Sequence, residues 1–484
     1  MKTFRRLRPG LVGLLAAAGL SGLAAAPPAS AGRPPPQPNF IIILADDLGY
    51  GDLSCYGSQR IATPRLDRMA AEGVRLTDFY VTAPICSPSR ASLLTGRYAQ
   101  RAGLPFVLFP TERKGLPPEE FTLAELLKER GYATACIGKW HLGFLPPFQP
   151  TQQGFDEFFG LPYSNDSARQ PPDKPFDPVL APVELPLLRG TNIVEAPALQ
   201  ETLTERYTDE AVRFIRRNRD RPFFLYLPHT FPHRPLHALD RFRDRSRAGL
   251  YGDTVECLDW STGRILDTLA ELGLDKQTLV CFTSDNGPPP AAPARGEQGA
   301  SGSAGSLRGW KFTAYEGGFR VPAIFRWPGK IPAGRVCPEL ATTLDLLPTL
   351  ANLAGAKPPR DRTLDGKDIW PLLTRTGASS AHKLFCYYLD NQLQAVRSGR
   401  WKLILEQDEY PSLTTIMYTN RLDVMQKHFP LRDQPSLYDL DTDPSEQHDV
   451  ATTHPDVVKR LTKLAAEFDR KLRLDRRPEA ILAP

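Results

Sequence analysis

Two oxygen-rich pairs close apolar runs in this chain. Asp46 and Asp47 follow FIIILA, and Asp285 and Asn286 follow LVCFTS. Adjacent carboxylates repel each other unless a cation lies between them. Three carboxylates and an amide oxygen are hard ligands that suit Ca²⁺ or Mg²⁺. Turn formation by Asp and Asn after strands accounts for either pair alone; both together at strand ends point to a cation. The basic set is Arg90, Lys139, His141, His233 and Lys311. Fixed positive charge is what an ester oxygen needs where negative charge develops. His229 and His233 lie in LPHTFPHRP, a proline-bounded turn after another apolar run. Cys86, in PICSPSRASLLTGRY, has two open readings. A thiolate nucleophile wants a neighbouring base, whereas a small buried hydrophobe wants none. Neither explains Pro88 and Arg90 at fixed steps after it.

These residues need elements to carry them. Phe40 to Ala45 is a continuous apolar run with three Ile, as in a strand buried on both faces. Thr63-Pro64 starts a helix with Pro at its first position, and the helix stops near Gly73. Thr122 and Glu125 predict a capping box for LAELLKER, ended by Gly131. The strand-like YATACIG then leads to Lys139 and His141. A helix over about Glu205 to Asn218 feeds the strand PFFLYLPH. Another, Asp253 to Leu272, feeds TLVCFTSDNG. Helices alternating with apolar strands predict an α/β fold: a large, mainly parallel sheet flanked by helices. Sites in such folds lie beyond the carboxyl ends of the strands. TTLDLLPTLANLAG reads as the helix that closes this domain. Pro288 to Ser306 is a Pro/Ala/Gly/Ser-rich insert, expected to be a mobile lid. Beyond about Leu373, LFCYYLD, LQAVRSG and WKLILE read as short strands, followed by a helix from Pro455 to Leu472. The organisation expected is residues 1–31 as a signal peptide, 32–375 as the catalytic domain, and 376–484 as a smaller α+β domain with an antiparallel sheet.

The first 31 residues combine Lys2, Arg5, Arg6 and Arg8, an apolar Leu11 to Ala26, and a small-residue Ala29-Ser30-Ala31 site. That pattern predicts export, to a periplasm or the outside, and no stable membrane insertion. Without this segment 56 Lys and Arg face 55 Asp and Glu, so the formal charge falls from +5 to +1. Nothing in that balance argues for nucleic acid. Seven cysteines leave at least one unpaired in an exported chain, and their spacing shows no zinc pattern. Cys86 is the candidate for the unpaired one.

C-S-P-S-R-A-S-L-L-T-G-R, Cys86 to Arg97, resembles the signature C-x-P-S-R-x-x-x-L-T-G-R of the formylglycine-dependent sulfatases of the alkaline phosphatase superfamily. GYATACIGKWHLG resembles that family's second signature. DDLGYGDLSCYG, FTSDNG, KFTAYEGGFR and LYDLDTDPSEQHDV resemble family blocks in the same order. Within the family the chain is similar to the arylsulfatase A and N-acetylgalactosamine-6-sulfatase kind. The resemblance implies that a separate formylglycine-generating enzyme oxidises Cys86 to Cα-formylglycine, marked for it in part by Pro88 and Arg90. One hydrate oxygen, acidified by the metal, would then attack sulfur. The alcohol would leave, and the sulfated hemiacetal would collapse to aldehyde and sulfate. It further implies that Asp46, Asp47, Asp285, Asn286 and residue 86 bind the cation. Arg90 would hold the hydrate, and Lys139 and Lys311 the sulfate oxygens. His141 would assist sulfate elimination. His233 would protonate the leaving alcohol, and His229 would shape the substrate pocket. The expected substrate is a sulfated sugar, glycan end or aryl sulfate. Two other readings are a phosphatase or phosphonate monoester hydrolase of the same superfamily, and a non-catalytic binder of sulfated glycans if Cys86 stays a thiol.

Overall fold

In the computed structural model the described residues are 37–167, 184–289, 302–411 and 431–483. The expected signal segment and residues 290–301 of the expected lid lie outside them. Ten strands form one sheet, in the order Arg335–Cys337, Val74–Leu76, Ala323–Arg326, Thr278–Ser284, Asn39–Ala45, Phe223–Pro228, Ala133–Ile137, Glu157–Gly160, Leu187–Arg189 and Asn192–Glu195. The five strands from Thr278–Ser284 to Glu157–Gly160 are all parallel. Antiparallel pairings join Ala323–Arg326 on one side and Leu187–Arg189 on the other, so the sheet is mixed at its flanks.

Register decides what this sheet brings together. Ala45 lies opposite Ser284, and Leu44 opposite Pro228. The residues after these strands therefore leave the sheet at one edge: Asp46-Asp47, Asp285-Asn286, and the turn with His229 and His233. Cys136 lies opposite Tyr226, so Lys139 emerges at the same edge. Gly138 makes that exit possible. Its φ is +132°, and a Cβ there would sit 1.9 Å from the Pro228 carbonyl oxygen.

The central strand buries both faces. Phe40, Ile42 and Leu44 join one apolar cluster; Ile41, Ile43 and Ala45 join the other. Helix Leu203–Arg217 covers the second face through Tyr207, Ala211, Phe214 and Ile215, with helix Gly249–Glu271 beside it. The helix expected after Thr63 spans Pro64–Ala71. The capping box forms, with the Glu125 amide donating to Thr122 Oγ1 (3.2 Å) and the Thr122 amide to Glu125 Oε2 (2.7 Å).

At the C-terminal end Phe385–Leu389, Gln392–Ser398, Trp401–Ile404 and Ser436–Asp439 form a separate antiparallel sheet. Helix Pro455–Leu474 packs Val457, Leu461, Ala465 and Leu472 onto it. A buried ionic cluster joins this sheet to the large one. Lys402 Nζ lies 2.9 Å from Glu316 Oε1 and 2.8 Å from Glu446 Oε1. Glu446 Oε2 accepts from the Glu316 amide (2.7 Å), and Tyr80 and Tyr387 donate to the Glu316 carboxylate. All seven cysteines are unpaired, and six of them are buried. Among the described residues no helix is long and apolar enough to cross a membrane.

Candidate active site

Helix Cys86–Thr95 starts from an extended Ile85 and ends at Gly96, whose φ of +66° is a left-handed cap. Pro88 falls in the first turn, where a missing amide hydrogen costs nothing. Every residue of this helix is buried. Cys86 Sγ lies 3.4 Å from Asp46 Oδ1 and 3.5 Å from Lys311 Nζ. Burial, and then the Asp46 charge, hold its thiol well above the ordinary range. As it stands, Cys86 is a poor thiolate. One turn on, Arg90 forks onto Asp285 Oδ2 through Nε (2.9 Å) and Nη2 (2.8 Å), and Nη1 donates to the Lys139 carbonyl (2.6 Å).

The carboxylates at the strand ends lie in a strongly positive setting. Asp46 Oδ2 accepts from Lys139 Nζ at 2.5 Å and has Arg90 Nη2 at 3.4 Å. Burial alone would raise this carboxyl. The charges of Lys139, His233, Arg90 and Lys311 outweigh it and hold Asp46 well below the usual range. Asp47 takes a left-handed φ of +69°, held by its amide on Asp285 Oδ1 (3.1 Å). Its own carboxylate receives Lys311 Nζ at 2.7 and 3.0 Å and Asn286 Nδ2 at 2.7 Å. Burial, together with Asp46, pushes Asp285 up to about 7. One oxygen each from Asp46 and Asp47, Cys86 Sγ and a His233 nitrogen all lie within 4.8 Å of one another.

The three histidines part company. His141 Nε2 faces the Leu108 carbonyl at 2.8 Å. A carbonyl only accepts, so Nε2 carries the hydrogen and Nδ1 holds a lone pair. That Nδ1 is buried without a hydrogen-bond partner among the described residues. Burial, with Lys139 and Arg90 beyond it, keeps the ring neutral well below the ordinary range. His233 Nε2 lies 3.7 Å from Asp47 Oδ2. His229 instead faces Ser261 Oγ on helix Gly249–Glu271 (3.2 Å), beside the Tyr207 ring. Burial pushes it down to about 3, as befits a neutral group in the helix–sheet interface.

A family model for sulfatases matches residues 38–356, and one for the C-terminal region of aryl-sulfatases matches 380–478. The chain belongs to the sulfatase family. Human arylsulfatase A is 43% identical over 460 residues, covering 89% of this sulfatase and 88% of the relative. N-acetylgalactosamine-6-sulfatase of Canis lupus familiaris is 38% identical, covering 93% and 89%. A solved structure from work on the metabolism of multiple glycosaminoglycans by Bacteroides thetaiotaomicron superposes with a TM-score of 0.76 at 30% identity, covering 90% of this chain and 99% of that one. The sulfatase is thus a sulfuric ester hydrolase.

The oxygen set of the sulfatase fits a hard cation. Asn286 spends Nδ2 on Asp47 and on the Gly287 carbonyl (2.8 Å), and its buried Oδ1 has no hydrogen-bond partner among the described residues. A bare carbonyl oxygen beside three carboxylates is a ligand set for Ca²⁺ or Mg²⁺. Of the residues singled out in the sequence, Asp46, Asp47, Cys86, Arg90, Lys139, Asp285, Asn286 and Lys311 are linked by direct contacts, and His233 borders them. His141 lies two residues after Lys139 in the chain, and His229 stays apart. Sequence reasoning missed Ser164, whose Oγ accepts from Lys139 Nζ at 3.1 Å, and Asn165, whose Oδ1 lies 3.1 Å from His233 Nδ1. They sit in a turn before residues 168–183, with no strand or motif to flag them.

Proposed function

We propose that this sulfatase hydrolyses its ester through Cα-formylglycine made from Cys86 by a separate maturation enzyme, with a divalent cation, Ca²⁺ or Mg²⁺, held by Asp46, Asp47, Asp285, Asn286 and residue 86. The observation that carries the reading is Cys86 on the first turn of its helix, in contact with both Asp46 and Lys311. A cation there would supply positive charge against the attacked sulfate, and the aldehyde hydrate would supply the nucleophile. Lys139 and Lys311 bind sulfate oxygens and screen their charge. Arg90 holds Asp285 and faces Asp46, which fixes the oxygen ligands in place. His233 delivers a proton to the leaving oxygen through Nε2. His141, neutral with a free Nδ1, receives a proton when sulfate is released.

The substrate we favour is a sulfated sugar or glycan, on the likeness to relatives whose names carry such substrates. Export rests on the N-terminal pattern of residues 1–31. A boundary near 375/376 rests on the gap between the two family matches. His229 is better read as a structural residue than as a substrate contact, given its bond to Ser261.

The deciding experiment pairs 4-nitrophenyl sulfate and 4-nitrophenyl phosphate turnover with a mass spectrum of the Cys86 peptide. The protein should come from a host that supplies the maturation enzyme. An aldehyde at residue 86, with sulfate turnover that vanishes in Cys86→Ala, is expected. Dominant phosphate turnover would move the reading to phosphate or phosphonate esters. A fully active thiol form would sink the formylglycine.

A further inference from the structure

His233 sits at the edge of the cluster, and the groups behind it are unusually definite. Its Nδ1 lies 2.6 Å from the Arg234 carbonyl oxygen and 3.1 Å from Asn165 Oδ1. The first is an acceptor by its chemistry. The second is an acceptor if the Asn165 amide is oriented as it stands, and two contacts orient it. Asn165 Nδ2 donates to the Pro235 carbonyl (3.1 Å), which only accepts, and to Gln200 Oε1 (3.0 Å). Gln200 is pinned in turn, because its Nε2 donates to the Asn165 carbonyl (3.4 Å). Asn165 is fully buried and Gln200 nearly so. A reversed amide would set the Asn165 oxygen against the Pro235 carbonyl and Gln200 Oε1, acceptor against acceptor. Two acceptors on Nδ1 are tolerable only if Nδ1 carries a hydrogen, as a bare lone pair would face two others.

We propose that Asn165, held by Gln200, is a positioning residue that locks His233 as the Nδ1–H tautomer with Nε2 directed to the reacting centre. The proposal rests on the reading of His233 as proton donor to the leaving oxygen. The two imidazoles of the site are then fixed in opposite senses. His141 has its hydrogen on Nε2 and its lone pair on Nδ1. His233 has its hydrogen on Nδ1 and exchanges protons at Nε2. In its neutral form each ring presents a lone pair, so His233 gives a proton at Nε2 only from the imidazolium, while its Nδ1 hydrogen stays on the Arg234 carbonyl and Asn165; neither ring can turn over without losing its hydrogen bond to a backbone carbonyl.

The test uses the full chain labelled with ¹⁵N-histidine, observed by two-bond ¹H–¹⁵N correlation at alkaline pH, where the ring is neutral, with His233→Ala to assign the signal. The Nδ1–H pattern is expected for the parent and for Asn165→Asp, which keeps an oxygen facing Nδ1. Asn165→Leu should lose the single pattern. Its kcat on phenyl sulfate, a poor leaving group, should fall about tenfold or more, with KM and 4-nitrophenyl sulfate turnover little changed. If Asn165→Leu does not fold, Gln200→Leu removes the same restraint one step further out. An Nε2–H pattern in the parent overturns the proposal, as do equal kcat losses on both esters in a folded variant. The proton-donor role is judged separately. Equal loss on both esters in His233→Ala would remove that role while the resonance pattern still decides the tautomer.

Discussion

Arg90 meets two carboxylates and a main-chain oxygen with one planar group, which no Lys could do. Its partner Asp285 is therefore a hinge of the whole ligand set, since its other oxygen holds the Asp47 amide. Asp285→Ala should strip the cation and turnover together, read as metal content by mass spectrometry beside 4-nitrophenyl sulfate activity. Full activity in a metal-free variant would sink the cation assignment. His233→Ala should reduce turnover of phenyl sulfate more than of 4-nitrophenyl sulfate, because proton delivery matters most for poor leaving groups. At this scale the sequence was highly legible. Asp46 and Asp285 announce themselves because each directly follows an apolar strand, and Lys139 because it comes one glycine after another. Asn165 and Ser164 do not, because a short turn leaves no periodic mark. His229 also directly follows a strand, yet its ring faces Ser261 Oγ on a helix. Strand alternation past a proline is not fixed by sequence.

Elements place these residues through register and caps. Helix Pro64–Ala71 starts after Thr63, which makes no capping bond to its amides. Asp259, from helix Gly249–Glu271, takes the amides of Arg65 (2.9 Å) and Leu66 (2.8 Å) instead. Such a cap joins residues 194 positions apart, so local sequence could not reveal it. Burial lifts the Asp259 carboxyl to about 7, against the pull of those amides. A carboxyl whose folded value is raised favours the fold while protonated, and that contribution fades as pH rises through about 7. Asp259→Asn should remove this slope. Melting temperatures at pH 5 and pH 8 should fall less between the two for the variant than for the parent; parallel changes would refute it. Thr122→Ala, by contrast, should cost about 1 kcal/mol at any of these pH values, checked by urea denaturation. The parallel strands were legible from their apolar runs. The flanking strands Val74–Leu76 and Leu187–Arg189 were not, since three residues carry too little pattern.

The whole molecule depends on the buried Glu316–Lys402–Glu446 cluster. Lys402 stands on the small sheet, and Glu316 five residues after Lys311, so the C-terminal lobe is anchored beside the chemistry. Lys402→Met would leave two carboxylates buried together, at a cost of about 3–5 kcal/mol. Lys402→Met with Glu446→Gln should be less destabilised than the sum of the two single changes. Additive losses in denaturant would show that the groups act independently. Neither Lys402 nor Glu446 could be paired with Glu316 by reading the chain, because the contacts span 86 and 130 residues. The seven unpaired thiols offer a different use of the same fold. No disulfide has to be reduced before they can be counted, and only Cys55 is partly open in the native state. Alkylation in denaturant then becomes a ledger of maturation: seven labels per chain for a thiol at residue 86, and six once Cys86 has been converted. A fractional count would read out the converted share of a preparation, without substrate, metal or any measurement of rate.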